Sequence, residues 1–256
     1  MLENKIVTDS NVQVFFQGDW SPETVITDEI NSTRVIDNDF ERMLISSWEN
    51  TLKVAKEKNQ KIWDSTIYRF ESSEISLQKL YLYLSIIPFS IRLEINKHTE
   101  KIKQLGQQYS PKGMFSSCFV KTSDGHMVFV EKSNVYVTQK KYALVGGVFS
   151  KSELIINSGN DLFESVRREV VEELGVDKEH IIENILKMGY LTENWNVCFL
   201  FSVQLSLTKK ELLERFKKYS DDEVKDLIFF TNENIKDSLN LFEPKDKIKF
   251  ALLKVC

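Results

Sequence analysis

The pattern of hydrophobic and polar positions divides the chain into helical and extended segments. Residues 39–57 carry apolar side chains at helical spacing, which predicts one amphipathic helix with its cap among residues 37–39. A second helix is expected over residues 91–105. Short apolar runs occur at residues 12–16 and 62–70, and the second alternates in places, which predicts a strand. The first part of the chain is therefore expected to mix helices and strands, and it contains no chemical motif.

The rest of the chain shows a clearer order of elements. Residues 115–121 and 126–131 are apolar runs separated by the turn residues Asp124 and Gly125, which predicts a hairpin. The other predicted elements are a strand at 142–145, a helix at 161–174, a strand at 196–205, a helix at 209–219, a strand at 224–230 and a helix at 245–253. This order predicts an α+β fold in which helices cover a mixed sheet.

A domain boundary is expected where turn-forming residues follow the second predicted helix. Residues 104–113 contain two glycines and one proline. We therefore predict a smaller mixed α/β domain over residues 1–108 and a second domain over residues 109–256.

Composition narrows the class of protein. The apolar fraction of 42% is typical of a globular chain and argues against disorder. The formal charge of −4 argues against a dedicated nucleic-acid or anionic-membrane partner. Three cysteines without a CxxC pair indicate neither a disulfide framework nor a zinc cluster. No segment has the pattern of a signal peptide or a membrane span, so a cytoplasmic protein is expected.

The helix at residues 161–174 carries the candidate chemistry. Glu169, Glu172 and Glu173 stand at positions i, i+3 and i+4, so they share one face of this helix. Three neighbouring carboxylates repel one another, and a hard divalent cation such as Mg²⁺ would remove that conflict. The alternative is a solvated acidic face whose charges pair along the helix. The buried stripe is expected on another face, at Leu162, Val166, Val170 and Leu174.

The continuous segment from Arg168 to Val176, together with Gly146 and Gly147, resembles the signature of the Nudix hydrolases. The resemblance covers roughly residues 113–256 and implies a Nudix fold, a mixed sheet sandwiched between helices. It implies Mg²⁺, with Mn²⁺ as the alternative ion. The implied metal ligands are Gly146, Glu169, Glu172 and Glu173, and the implied catalytic residues are Arg168, Glu169 and Glu172. The general base varies in this family, so Glu169, Glu172 and an acid among residues 221–223 all stay open.

Two departures from the family pattern concern the metal site. Asn160 stands where the signature has its first glutamate, and twelve residues separate Gly147 from Asn160 where the family has five. Asn160 can hydrogen-bond to Arg168 but cannot form an ion pair with it. Glu153, inside the inserted segment, is a candidate substitute that nothing in the sequence positions.

The resemblance implies hydrolysis of the pyrophosphate bond of a nucleoside diphosphate linked to another group, X. The partner would be a small nucleotide, and the oligomeric state, a homodimer included, is left open. Residues 61–70 and the enlarged loop after Gly147 resemble UDP-sugar-hydrolysing members, which favours a nucleotide sugar as substrate. The alternative is a Nudix-fold binding or regulatory module that has lost turnover.

Overall fold

A computed structural model describes residues 6–7, 12–60, 62–132, 142–219, 224–231 and 233. The helices among these residues are α1 (Asn38–Glu57), α2 (Phe89–Lys97), α3 (Thr99–Leu105), α4 (Gly159–Leu174) and α5 (Lys209–Tyr219). The strands are β1 (Ile6–Val7), β2 (Gln13–Trp20), β3 (Val25–Glu29), β4 (Thr66–Ser76), β5 (Lys79–Pro88), β6 (Met114–Lys121), β7 (Met127–Lys132), β8 (Ile181–Leu191), β9 (Val197–Leu205) and β10 (Val224–Phe230). None of these helices is both long and apolar enough to cross a membrane.

Two sheets organise the molecule. The larger sheet has the strand order β1-β2-β8-β9-β6-β7-β10, and the smaller one has the order β3-β5-β4. The larger sheet is mixed, since β6 and β9 run parallel while its other pairs run antiparallel. The α+β class with a mixed sheet is therefore confirmed.

The two predicted domains share a sheet and a core. Val14 of β2 pairs with Tyr190 of β8, so a strand from the first segment extends the sheet of the second. One hydrophobic cluster contains Phe16 and Phe70 together with Phe199, and the Phe70 and Phe199 rings lie 6.0 Å apart. The domain boundary at residue 108 stays a prediction. Because the two segments share a sheet and a core, independent folding of either segment is unfavourable.

Helix α4 begins and ends at residues suited to those positions. Ser158 accepts a hydrogen bond from the Asp161 backbone N–H, and Gly175 ends the helix with φ +64°, a conformation that favours glycine. The predicted stripe is fully buried in the main core at Leu162, Val166, Val170 and Leu174. This burial fixes the rotation of the helix, and with it the direction of the three glutamates.

Several predicted elements differ from the structure. The helix predicted at residues 91–105 is two helices, because His98 has non-helical backbone angles. Residues 142–145 form isolated bridges to β6 and β7 instead of a regular strand. Strand β8 was not predicted, because two irregularities in its pairing with β9 disturb the alternation of buried and exposed positions. The helix predicted at residues 245–253 lies outside the described residues.

Candidate active site

A pair of glycines brings the backbone into contact with the carboxylates of α4. Gly146 has φ +144°, and a Cβ there would lie 2.9 Å from the carbonyl carbon of Ser116. A Cβ on Gly147 would lie 2.6 Å from Oε1 of Glu169 and still closer to Oε2. Ser116 fixes the pair in the sheet, since its N–H donates to the Gly147 carbonyl at 2.8 Å. A side chain at position 147 would therefore displace the Glu169 carboxylate from its present place.

Glu169 is a carboxyl group that is difficult to ionise. Its burial, and next the neighbouring negative charge of Glu173, raise the pKa of Glu169 to about 8. Arg168 acts in the opposite direction, with Nη2 3.4 Å from Oε1 of Glu169. The charge of Glu169 is thus only partly compensated, and a cation at this position would favour the ionised form.

Glu173 is 2% exposed and lies beside the same loop. Its Oε1 accepts the Gly146 N–H at 3.2 Å and forms an ion pair with the Lys132 ammonium at 2.6 Å. Lys132 ends strand β7, and sequence reasoning missed it. No spacing along the chain links Lys132 to α4, because the contact exists only once β7 has joined the sheet.

The inserted segment supplies the acid that the sequence motif lacks. Glu153 accepts a hydrogen bond from Arg168 and forms an ion pair with it. Burial alone would lower the pKa of Arg168, but the hydrogen bond to Glu153 and the negative charges of Glu153, Glu169 and Glu172 together outweigh burial and raise this pKa. Asn160 is exposed in the first turn of α4. In the structure, Glu153 is therefore the acid of the inserted segment that pairs with Arg168.

The oxygen atoms at this site suit a hard cation. Glu169 and Glu173 face the glycine pair, whereas Glu172 is exposed. Mg²⁺ in proteins commonly takes one or two carboxylates and completes its shell with water and substrate phosphates. These residues therefore fit the ion that the motif implies, with Glu172 at the outer edge.

Two other groups of acidic residues lie apart from α4 in the sequence. Within the described ranges, a set of three ligand atoms that all lie within 4.8 Å of one another occurs at the surface residues Asp177, Glu179 and His180. Asp177 in that set is already paired with Arg215 at 2.6 Å. The candidate bases among residues 221–223 lie outside the described residues.

The mixed sheet, the glycine pair and α4 together form an α+β arrangement that is consistent with the fold that the motif implies. No protein-family model matches the chain, and a search of curated proteins finds no match. Among solved structures, a Nudix hydrolase from Nitrosomonas europaea is similar at 18% identity and a TM-score of 0.38, over 56% of this chain and 86% of that chain.

Two further solved structures are similar to the chain. DR0079 from Deinococcus radiodurans has 16% identity and a TM-score of 0.38, over 56% of this chain and 82% of that chain. The MutT protein from Methanosarcina mazei has 15% identity and a TM-score of 0.28, over 54% of this chain and 94% of that chain. At these identities and TM-scores the similarities carry no functional argument.

Proposed function

We propose that the protein hydrolyses the pyrophosphate bond of a nucleoside diphosphate linked to a group X, with Mg²⁺ or Mn²⁺ as cofactor. One observation carries this proposal: α4 places the carboxylates of Glu169 and Glu173 against the backbone of Gly146 and Gly147. A purely solvated acidic face would not bury two of its carboxylates beside a loop that only glycine can form.

In this proposal each residue has a limited task. Glu169, Glu172, Glu173 and the carbonyl of Gly146 hold the metal, which when bound neutralises charge on the phosphate oxygens. Arg168, itself held by Glu153, orients Glu169. Glu169 or Glu172 accepts a proton from the water that attacks phosphorus. The P–O bond of the anhydride breaks, giving a nucleoside monophosphate and a phosphorylated X.

A nucleotide sugar ranks first among the substrates that we propose. The resemblance of residues 61–70 to UDP-sugar-hydrolysing proteins supports this ranking. Ile67 in this segment bridges Ser150, three residues after Gly147, so β4 borders the enlarged loop. Preferred cleavage of a dinucleoside polyphosphate or of a nucleoside triphosphate would change the substrate and keep the reaction class.

The test is a hydrolysis assay over a nucleotide panel, with and without Mg²⁺ or Mn²⁺. We expect metal-dependent release of a nucleoside monophosphate, lost in Glu169→Gln. Glu164→Gln is the matched control, since Glu164 lies on the same helix and pairs with Lys178 at the surface. Hydrolysis that is unaffected by Glu169→Gln, or lost equally in both variants, would contradict the proposed site.

One observation favours a second candidate function, a nucleotide-binding module without turnover. The Lys132 ammonium already neutralises Glu173, which is one of the proposed metal ligands. Nucleotide binding by calorimetry, with no hydrolysis at any metal concentration, would support this second candidate over the enzyme.

A further inference from the structure

Tyr68 of β4 holds both ends of the loop that carries Glu153, within the inserted segment of residues 149–158. The Tyr68 backbone N–H donates to the Phe149 carbonyl at 2.9 Å, and its hydroxyl accepts the Ile156 N–H at 2.8 Å. Tyr68 is fully buried, and Ile156 is 2% exposed. A buried N–H needs an acceptor, so the tyrosine hydroxyl has a task that a phenylalanine ring could not perform.

Further contacts with the smaller sheet support the first end of this loop. The Lys151 backbone N–H donates to the Thr66 carbonyl at 2.8 Å, and Ser150 bridges Ile67. The Lys151 ammonium donates to a carboxylate oxygen of Glu29 on β3 at 2.7 Å. Strands of the predicted first domain therefore hold a loop of the predicted second one.

Glu153 lies between the two fixed ends, and its own side chain is exposed. It pairs with Arg168, whose Nη2 also lies 3.4 Å from Oε1 of Glu169. An exposed side chain on a loop is ordinarily mobile, and an ion pair at the surface orders it only weakly. The position of Glu153 beside the arginine therefore depends on the hydrogen bonds that fix the loop.

We propose that Tyr68 is a positioning residue of the candidate active site and that it acts on Glu169 through Glu153. This inference rests on the proposed function, and it gives a task to the segment at residues 61–70 that the sequence singles out. The smaller sheet is then part of the metal site, because it places the acid that pairs with Arg168. Residues that orient a metal ligand without touching the metal commonly change metal affinity by about 10- to 100-fold.

The experiment measures Mn²⁺ binding to the full chain by calorimetry, so that the readout does not depend on turnover. We expect Glu153→Gln to weaken Mn²⁺ binding about tenfold. Tyr68→Phe should weaken it by no more than Glu153→Gln does, because the tyrosine acts only through the glutamate. The double variant should bind Mn²⁺ like Glu153→Gln alone, since two changes in one chain of contacts do not add. A merely structural effect of Tyr68 would add to that of Glu153.

Two controls separate the position of the loop from the stability of the sheet. Ile67→Val removes one buried methyl group from the same strand and keeps the backbone bridge to Ser150. It should lower stability and leave Mn²⁺ affinity within about twofold of the wild type. Tyr83→Phe also removes a hydroxyl from this sheet, but that hydroxyl makes no hydrogen bond within the described part of the chain. It should bind Mn²⁺ like the wild type.

If Tyr68→Phe does not fold, the surface pair of Lys151 and Glu29 decides. Glu29→Lys should weaken Mn²⁺ binding, because two facing ammonium groups repel and displace the loop from β3. Adding Lys151→Glu should restore the affinity, since the exchanged charges attract again. Failure of this exchange to restore binding would overturn the proposal.

The outcomes for Tyr68 and for the proposed enzyme are distinguishable. Unchanged Mn²⁺ affinity in folded Tyr68→Phe, or an effect that adds to that of Glu153→Gln, would overturn the role of Tyr68 even if nucleotides are hydrolysed. Mn²⁺ binding that depends on Tyr68 without hydrolysis of any nucleotide would support Tyr68 and contradict the enzyme. A wild type that binds no Mn²⁺ would contradict both.

Discussion

Two glutamates of this protein, the fully buried Glu94 and the largely buried Glu169, have opposite surroundings. Glu94 on α2 is fully buried, and its carboxylate accepts hydrogen bonds from Thr51 at 2.7 Å, from Lys97 at 2.8 Å and from Ser47. Glu169 on α4 lies against Gly147, near the negative charge of Glu173, and Nη2 of Arg168 lies 3.4 Å from one of its carboxylate oxygens.

This difference distinguishes a carboxylate that joins two helices from one whose charge the chain neutralises only in part. Glu94 connects α1 to α2, and its hydrogen bonds come from three side chains of this chain. Glu169 has a pKa raised to about 8, because burial and like charge act together on it. Burial alone therefore does not identify a functional acid, whereas incomplete compensation of its charge does.

The largest effect is expected for turnover of Glu169→Gln. We predict a loss of at least a hundredfold in metal-dependent kcat, or about 3 kcal/mol of barrier. The free energy of unfolding without metal should stay the same or rise, because burial and Glu173 disfavour the ionised carboxyl in the folded state and the amide does not ionise. Steady-state kinetics and urea titration measure the two quantities. A variant that loses stability and activity together would show that Glu169, like Glu94, is structural.

Lys132→Met should reduce stability in the absence of metal. The change leaves the Glu173 carboxylate buried without its lysine, and breaking such a pair costs about 3 kcal/mol. We expect Mg²⁺ to restore more stability to this variant than to the wild type, because the ion would replace the ammonium. Thermal unfolding with and without Mg²⁺ measures this, with Lys132→Arg as the control that keeps the charge. An unchanged unfolding temperature would mean that the pair contributes nothing.

Glu94→Gln is expected to lower stability and leave activity unchanged, the opposite of Glu169→Gln. The amide nitrogen cannot accept the hydrogen bonds that one carboxylate oxygen accepts now, so we predict a loss of about 2 kcal/mol in the free energy of unfolding. Activity of the folded fraction should be unchanged. Urea titration and kcat per folded molecule are the measurements, and a fall in kcat at full folding would remove the distinction between the two glutamates.

The smallest effect is expected at Glu153. Its ion pair with Arg168 is partly exposed, so Glu153→Gln should change stability by less than about 1 kcal/mol. Turnover should fall about tenfold, since an Arg168 that is less well held orients Glu169 less well. Adding Asn160→Glu should recover that loss, because it restores an acid at the family position. If the double variant does not recover turnover, Glu153 does not act through Arg168.

Local patterns in the sequence predicted the helix of the site. They could not predict contacts between residues that are far apart in the sequence and meet across the sheet. The buried stripe of α4 and its end at Gly175 follow from residues within one helix, whereas the helix begins at Gly159, two residues before the predicted start. Glu153 was a candidate without a position, since the path of an inserted loop depends on what it packs against.

The contacts of Lys132 and Tyr68 could not be predicted at all. Lys132 meets Glu173 through the sheet, and Tyr68 meets Ile156 through the packing of the inserted segment on β4. The sharing of one sheet by the two predicted domains could not be predicted either, because no residue pattern within one segment indicates that β2 pairs with β8.

The pairing of β2 with β8 also affects how the chain folds during synthesis. Val14 emerges from the ribosome long before its partner Tyr190, at about 5 to 20 residues per second, so β2 waits on the order of ten seconds or more. During that interval the unpaired strand is able to join the edge of another chain. The β4–β5 hairpin, whose strands are neighbours in sequence, can form meanwhile. We therefore expect the large sheet to form late, and overproduction of the protein to favour aggregation through β2 before the sheet closes.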